Sequence, residues 1–212
     1  MIPQHQRLAS WVNRFAAPAF ATLLVGCSGL SQPPLNRSCY ALDPGQPTAT
    51  LSAPREPTTR TDPPTLQVRR LRVDSPYDGV AFVYRTAGDQ YQTDYYNNFI
   101  TPPDQMITSD LTTWLARTSR FAYVVDSGSQ ASNPYTLTGT VTALYGDYTN
   151  KTAPQAVISM RLVLLDQNSR IVFQKQYDAA APIQIGSAAS LVQGWNQALR
   201  QILAQSATDL HW

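Results

Sequence analysis

Few side chains in this sequence could carry out a reaction. The two histidines are His5 and His211, and the only glutamate is Glu56. A general base belongs in a rigid cleft, and His211, second from the end of the chain, is poorly placed to be one. A glycoside hydrolase would need two carboxyl groups facing one bond. Asp89 and Asp94 flank "QYQT" and could form such a pair, but Asp89 follows Gly88 in a usual turn context, and both read as solvated turn aspartates. No G-x-x-x-x-G-K-[ST], G-x-S-x-G, H-E-x-x-H or EF-hand loop occurs, so phosphate cradle, nucleophile elbow, zinc helix and calcium loop are all missing. The residues therefore predict no catalytic group, no metal site and no cofactor. The two cysteines, Cys27 and Cys39, form no C-x-x-C.

Cys27 has a chemistry of another kind. Arg7 and Arg14 supply positive charge ahead of a short apolar run, "FAAPAFATLLVG" at 15–26. That run is too short for a membrane-spanning helix, which needs about 20 apolar residues; a basic start, an apolar stretch and small residues before a break read as a secretory signal peptide over 1–26. The break, Leu24-Val25-Gly26-Cys27, resembles the bacterial lipobox. In that pattern the thiol becomes a thioether to diacylglycerol, the chain is cut before the cysteine, and the new amine is acylated. Two or more acyl chains anchor a protein stably where one does not. Cys27 is thus the expected lipid attachment, and Ser28 after it, in place of aspartate, points to the outer membrane, with the domain on the periplasmic face of the envelope. Cys39 is then the only free thiol, expected to be small and partly buried beside Tyr40.

Without Arg7 and Arg14 the sixteen basic residues become fourteen, equal to the fourteen acidic ones. A neutral chain lacks the positive field by which proteins hold nucleic acid.

Eight of the sixteen prolines fall between Pro33 and Pro64, so 27–64 reads as a lipidated tether, with "SCYALD" at 38–43 as an edge strand and 44–64 as an irregular loop. The domain is expected over 65–212. Strands are expected at 66–74, 79–85, 90–97, 121–126 and 135–149, and a hairpin joins 156–166 to 170–178 across "DQNS". On 135–149, alternation places Tyr135, Leu137, Gly139, Val141 and Ala143 on one face. A helix starts near Thr101-Pro102-Pro103-Asp104, with Ile107, Leu111, Trp114, Leu115 and Thr118 on one face. Ser187 caps a final helix whose face is Leu191, Trp195, Leu199, Ile202 and Leu203. The expected fold class is α+β, a single domain with a mostly antiparallel sheet covered by two α-helices.

The positive signal is aromatic. Tyr77, Phe82, Tyr84, Tyr91, Tyr95, Tyr96 and Phe99 crowd between 77 and 99, and tyrosine joins contact area to a polar tip. Alternation puts Phe82 and Tyr84 on a core face. Consecutive Tyr95 and Tyr96 point to opposite faces if extended, which leaves one at the surface or in a groove. A second candidate surface is "VRRLRV" at 68–73, where Arg70 and Arg72 share a strand face opposite Arg69.

Residues 83–121, "VYRTAGDQYQTDYYNNFITPPDQMITSDLTTWLARTSRF", resemble the ABC-type transport auxiliary lipoproteins, the family of the paraquat-inducible lipoprotein C. The likeness rests on Tyr84-Arg85 at a strand end, the aromatic tract Tyr95 to Phe99, the proline-started helix with Leu111 and Leu115, and Phe121 at the next strand. Upstream, Tyr40-Ala41-Leu42 resembles the family's first strand. Phe99 stands where members often have tryptophan, and the loop before Thr65 is unusually long. The resemblance implies a non-catalytic component of an envelope lipid-transport system. Its expected partners are a mammalian-cell-entry (MCE) domain protein with its ABC permease and ATPase, the membrane through the acyl chains on Cys27, and further copies of itself in a homo-oligomer. Contact with the partner is expected at Tyr84, Arg85, Tyr95, Tyr96 and Phe99. The alternative is an outer-membrane assembly lipoprotein that binds lipid or lipopolysaccharide, using the arginine-bearing strand.

Overall fold

The longest alternating stretch becomes the spine of the molecule. The computed structural model describes residues 36–47, 64–117, 121–129 and 135–210. Cys27, Glu56, Thr118 and His211, with the signal segment and most of the Pro-rich loop, lie outside the described residues. The strands are β1 (Ser38–Tyr40), β2 (Leu66–Val68), β3 (Arg72–Val73), β4 (Ala81–Ala87), β5 (Gln90–Phe99), β6 (Val124–Asp126), β7 (Tyr135–Asp147), β8 (Gln155–Leu165) and β9 (Ile171–Pro182). The helices are α1 (Pro103–Ala116), between β5 and β6, and α2 (Ala188–Asp209) at the end.

Strand β7 pairs along one edge with β8, antiparallel from Thr136 opposite Leu165 to Asp147 opposite Gln155, and β8 pairs antiparallel with β9. Its other edge receives three strands in turn, all parallel: β2 at Tyr135–Leu137, β3 at Thr140–Val141 and β4 at Gly146–Asp147. Hairpin partner β5 follows β4, β1 joins β5 in parallel, and β6 joins β2. The α+β class with a mostly antiparallel sheet and two covering helices therefore stands, with parallel pairings gathered on one side of β7.

Two expectations change. The strand read over 66–74 is broken, because the chain steps off the ladder between β2 and β3. Leu71 drops into the core, 1% exposed, and its N–H, which no strand can then accept, donates to Thr108 Oγ1 of α1 at 3.0 Å. The expected inner face of β7 holds for Leu137, Gly139 and Val141 but not for Ala143. A bulge after Val141 inverts the alternation, so Leu144 points inward, 2% exposed.

Both helices form where the apolar period predicted them. Pro103 opens α1, and Ser187 Oγ accepts the Ser190 N–H at 3.1 Å to cap α2. Helix α2 buries Leu191, Trp195, Ala198, Leu199, Ile202 and Leu203 against β8 and β9, while α1 packs on β3 and β6; both feed one core. Gly194 makes the close seating of α2 possible: a Cβ there would lie 2.6 Å from Ile183 Cγ2 and 2.7 Å from the Ala156 Cβ.

The segment after β1 is tied to the same core. Leu42 is buried, the Asp43 N–H donates to Asn196 Oδ1 at 2.9 Å, and Arg200 Nε donates to the Pro44 carbonyl at 2.6 Å. One acid is placed badly by this docking. Asp110 of α1 has a buried Oδ2 with no hydrogen-bond partner. Burial first, and then the nearby Asp43 charge, push its pKa up to about 6. A raised acid pKa favours the folded state fully below the ordinary aspartate range, near pH 4, and that contribution is lost as pH rises through about 6. A shift of this size is worth at most about 3 kcal/mol, and solvent screening at a partly exposed group brings it to about 1–2 kcal/mol. Asp110→Asn is accordingly expected to stabilise the protein by about 1–2 kcal/mol at pH 8 and to change little at pH 4. Thermal melts of both proteins at the two pH values check this; equal melting at pH 8 would contradict it.

Candidate functional site: a tyrosine bulge

The aromatic tract does not run as a regular strand. Ala81 pairs with Asn98 and Val83 with Thr93, so β5 spends several more residues than β4 over the same interval. The excess, Asp94 to Asn97, swells out of the ladder as a bulge.

Asp94 builds it. Its Oδ1 accepts the backbone N–H of Tyr96 at 2.7 Å and of Asn97 at 3.1 Å. Its Oδ2 accepts the Asn97 Nδ2 amide at 2.8 Å and the Tyr84 hydroxyl from β4. The two backbone bonds are the Asx-turn geometry that aspartate supplies to a chain leaving a regular ladder. Asp94 is therefore a half-buried hub and not the solvated turn residue expected from its context. Burial pulls its pKa upward, but the hydrogen bonds from Tyr84, Asn97 and the two backbone amides outweigh it and hold the carboxyl below the usual range. Burial, together with the hydrogen bond to Asp94, pushes the Tyr84 hydroxyl far up.

The bulge presents two adjacent rings. Tyr95 and Tyr96 are 52% and 51% exposed, so both reach solvent, where a straight strand would have sent them to opposite faces. They meet edge to face, with centroids 5.3 Å apart. The guanidinium of Arg37, just ahead of β1, lies 4.5 Å from the Tyr95 centroid. Ile100, 64% exposed, follows at the end of the strand.

The other expected contact residues lie beneath this surface. Phe99 is 4% exposed and packs on Phe82 and Trp195, with centroids 4.7 and 5.2 Å away. Its expected contact role is corrected: an inward-facing residue at the end of β5 roots the tract in the core. Tyr84 is half-buried, its hydroxyl given to Asp94 and its ring edge-on to Tyr148 at 5.6 Å. Arg85 Nε donates to the Gly88 carbonyl at 2.8 Å, and its guanidinium lies within 4 Å of Asp89 and Asp147. Asp89 thus pairs with arginine across the β4–β5 turn, away from Asp94. Cys39, expected to be partly buried, is exposed.

The arginine-bearing segment is also rearranged. Because the strand breaks, Arg70 and Arg72 no longer share a continuous face, and Arg70 pairs with Asp104 at the start of α1. The groove there, ≈ 500 Å³, is lined by Arg70, Arg72, Asp78 and Asp104 together with Leu71, Val73 and Pro102. The groove lies open to solvent and carries both signs of charge, unlike an enclosed ligand site.

Residues 40–207 match the family model described as "ABC-type transport auxiliary lipoprotein component". A solved Xanthomonas campestris protein of the DUF330 family is 19% identical, with a TM-score of 0.62 over 71% of this chain and 87% of that one. A second solved structure, described only as an uncharacterized protein, is 23% identical, with a TM-score of 0.64 over 82% of this chain and 99% of that one. These two likenesses concern the fold alone. No curated protein matches the sequence.

Proposed function

The chain belongs to the ABC-type transport auxiliary lipoprotein family, and from that premise we propose that it is a lipid-anchored, non-catalytic component of an envelope lipid-transport system that docks on an MCE-domain partner. Acyl chains on Cys27 hold it at the periplasmic face of the outer membrane, and the Pro-rich segment sets its reach. The partner's ABC permease and ATPase supply the driving force, which agrees with the lack of a nucleotide-binding motif in this sequence.

The observation that carries the docking reading is the Asp94-built bulge, which holds Tyr95 and Tyr96 out in solvent on a backbone fixed by four hydrogen bonds. Rigid aromatic anchors with polar tips lose little entropy on binding and dominate interface energetics. In this reading Tyr95 and Tyr96 make the contact, while Tyr84, Arg85 and Phe99 hold the platform. The lipid-binding alternative is less well supported, because Arg70 is already paired and the groove beside it carries both signs of charge.

Replacing both Tyr95 and Tyr96 by alanine should weaken capture of the MCE-domain partner by about tenfold or more. Melting should stay within about 3 °C of the parent, since only one exposed ring pair and one cation–π contact are lost. Quantitative co-purification beside a thermal melt tests this. Undiminished capture by a folded double variant would remove the tyrosines from the interface.

A further inference from the structure

The hydrogen bonds that build the bulge depend on a residue far from it in sequence. Asp94 Oδ2 accepts the Tyr84 hydroxyl only while the Tyr84 side chain keeps the rotamer that aims its phenol at the carboxylate. A half-buried ring has other rotamers open to it unless something is packed against it. The ring set against Tyr84 is that of Tyr148, just past the end of β7, with centroids 5.6 Å apart and planes at 74°.

Tyr148 is itself held on several sides. Its N–H donates to the Arg85 carbonyl at 2.8 Å, one step beyond the parallel pairings of Tyr84 with Gly146 and Arg85 with Asp147. Asp147 Oδ1 accepts both the N–H and the hydroxyl of Thr149, at 2.9 and 2.6 Å, which turns the chain directly after Tyr148. The Tyr148 ring then folds back over Gly146, which is buried. A Cβ at Gly146 would lie 2.9 Å from Tyr148 Cε2 and 3.1 Å from Leu191 Cδ1 of α2, so only glycine leaves room for the ring and the helix together. Leu191 is fully buried and gives that seat a rigid floor. The Tyr148 hydroxyl is raised by burial first and then by the Asp94 charge, which places this second phenol in the field of the same carboxylate.

From this chain of contacts we infer that Tyr148, seated over Gly146, is a positioning residue for the docking surface. It walls Tyr84, Tyr84 keeps its hydroxyl on Asp94, and Asp94 holds Tyr95 and Tyr96 in their exposed pair. The contact is edge to face between rings, so the Tyr148 ring is required and its hydroxyl is not. The surface presented by β5 is thus set from the β7–β8 turn and the first turn of α2. The effect on capture rests on the reading of Tyr95 and Tyr96 as partner contacts, whereas the positioning is a property of the free protein.

Residue-resolved amide hydrogen exchange of the full-length protein in mild detergent, beside quantitative co-purification of the MCE-domain partner, tests it. Tyr148→Ala should speed exchange at the Tyr96 and Asn97 amides, which Asp94 accepts, by about tenfold or more, and leave the core amides of β8 and α2 within about twofold. Capture should fall by about fivefold or more. Tyr148→Phe should return both readings to within about twofold of the parent, because the ring pair is kept. Tyr148→Leu, which keeps bulk without a flat ring, gives the same comparison should the alanine variant not fold. Unchanged exchange at Tyr96 and Asn97 in a folded variant, equal acceleration throughout the core, or failure of phenylalanine to restore the bulge would each overturn the inference. Faster bulge exchange with undiminished capture would uphold the positioning and count instead against Tyr95 and Tyr96 as the contact.

Discussion

Asp94→Ala is expected to lower the melting temperature by roughly 5–10 °C and to abolish partner capture in the same protein. The change removes an acceptor used by two backbone amides, the Asn97 side chain and the Tyr84 hydroxyl. It leaves that hydroxyl half-buried and unpartnered, and bonds to a charged acceptor are worth about 1.5–3 kcal/mol each before the chain relaxes. The bulge would then lose the turn that sets Tyr95 against Tyr96. The penalty should also depend on pH in a definite direction. A depressed acid pKa contributes stability above the unfolded value and loses it as pH falls through the folded one. The gap between parent and variant should accordingly narrow below about pH 4. Melts across that range measure it; a gap that stays constant down to pH 2 would mean the carboxylate charge is not what the hub uses.

The second large effect is expected at Cys27. Serine offers no thiol for the thioether, so Cys27→Ser should lose all acyl incorporation and retain residues 1–26. Each buried CH₂ of an acyl chain contributes about 0.8 kcal/mol to membrane binding, so the processed parent should partition into detergent and a soluble form lacking residues 1–27 into water. Palmitate labelling with phase partitioning reads both. Label persisting on Cys27→Ser would remove the anchor from this position.

How much of this was legible in the residues divides along physical lines. The helices were, because Ile107, Leu111, Trp114 and Leu115, and Leu191, Trp195, Leu199 and Ile202, repeat at the period of a face that must be buried. The β8–β9 hairpin was, because two runs rich in β-branched and aromatic residues flank a turn-forming "DQNS". What escaped was set by single interactions that periodicity does not carry. Leu71 leaves the ladder because Thr108, distant in sequence, accepts its N–H, and no count along 66–74 contains that partner. The bulge in β7 inverts Ala143 and Leu144 through one inserted residue.

At the candidate site, Tyr95 and Tyr96 were found by type, but their shared exposure was not, since it depends on Asp94 ending the regular strand. A signal existed: aspartate with asparagine three residues later, "DYYN", is turn chemistry placed inside an otherwise strand-like run. Phe99 was misplaced for the opposite reason. The tyrosines at 95 and 96, just ahead of it in the tract, are exposed, and only its packing on Phe82 and Trp195 shows that the strand's end dives inward.

The docking claim is tested most directly by affinity purification of the tagged, full-length protein from mildly solubilised envelopes, with mass spectrometry of what accompanies it. Docking through the tyrosine bulge predicts an MCE-domain protein recovered with its permease and ATPase, and their loss when Tyr95 and Tyr96 are both alanine. Recovery of outer-membrane assembly factors or lipopolysaccharide with no MCE-domain protein would contradict it.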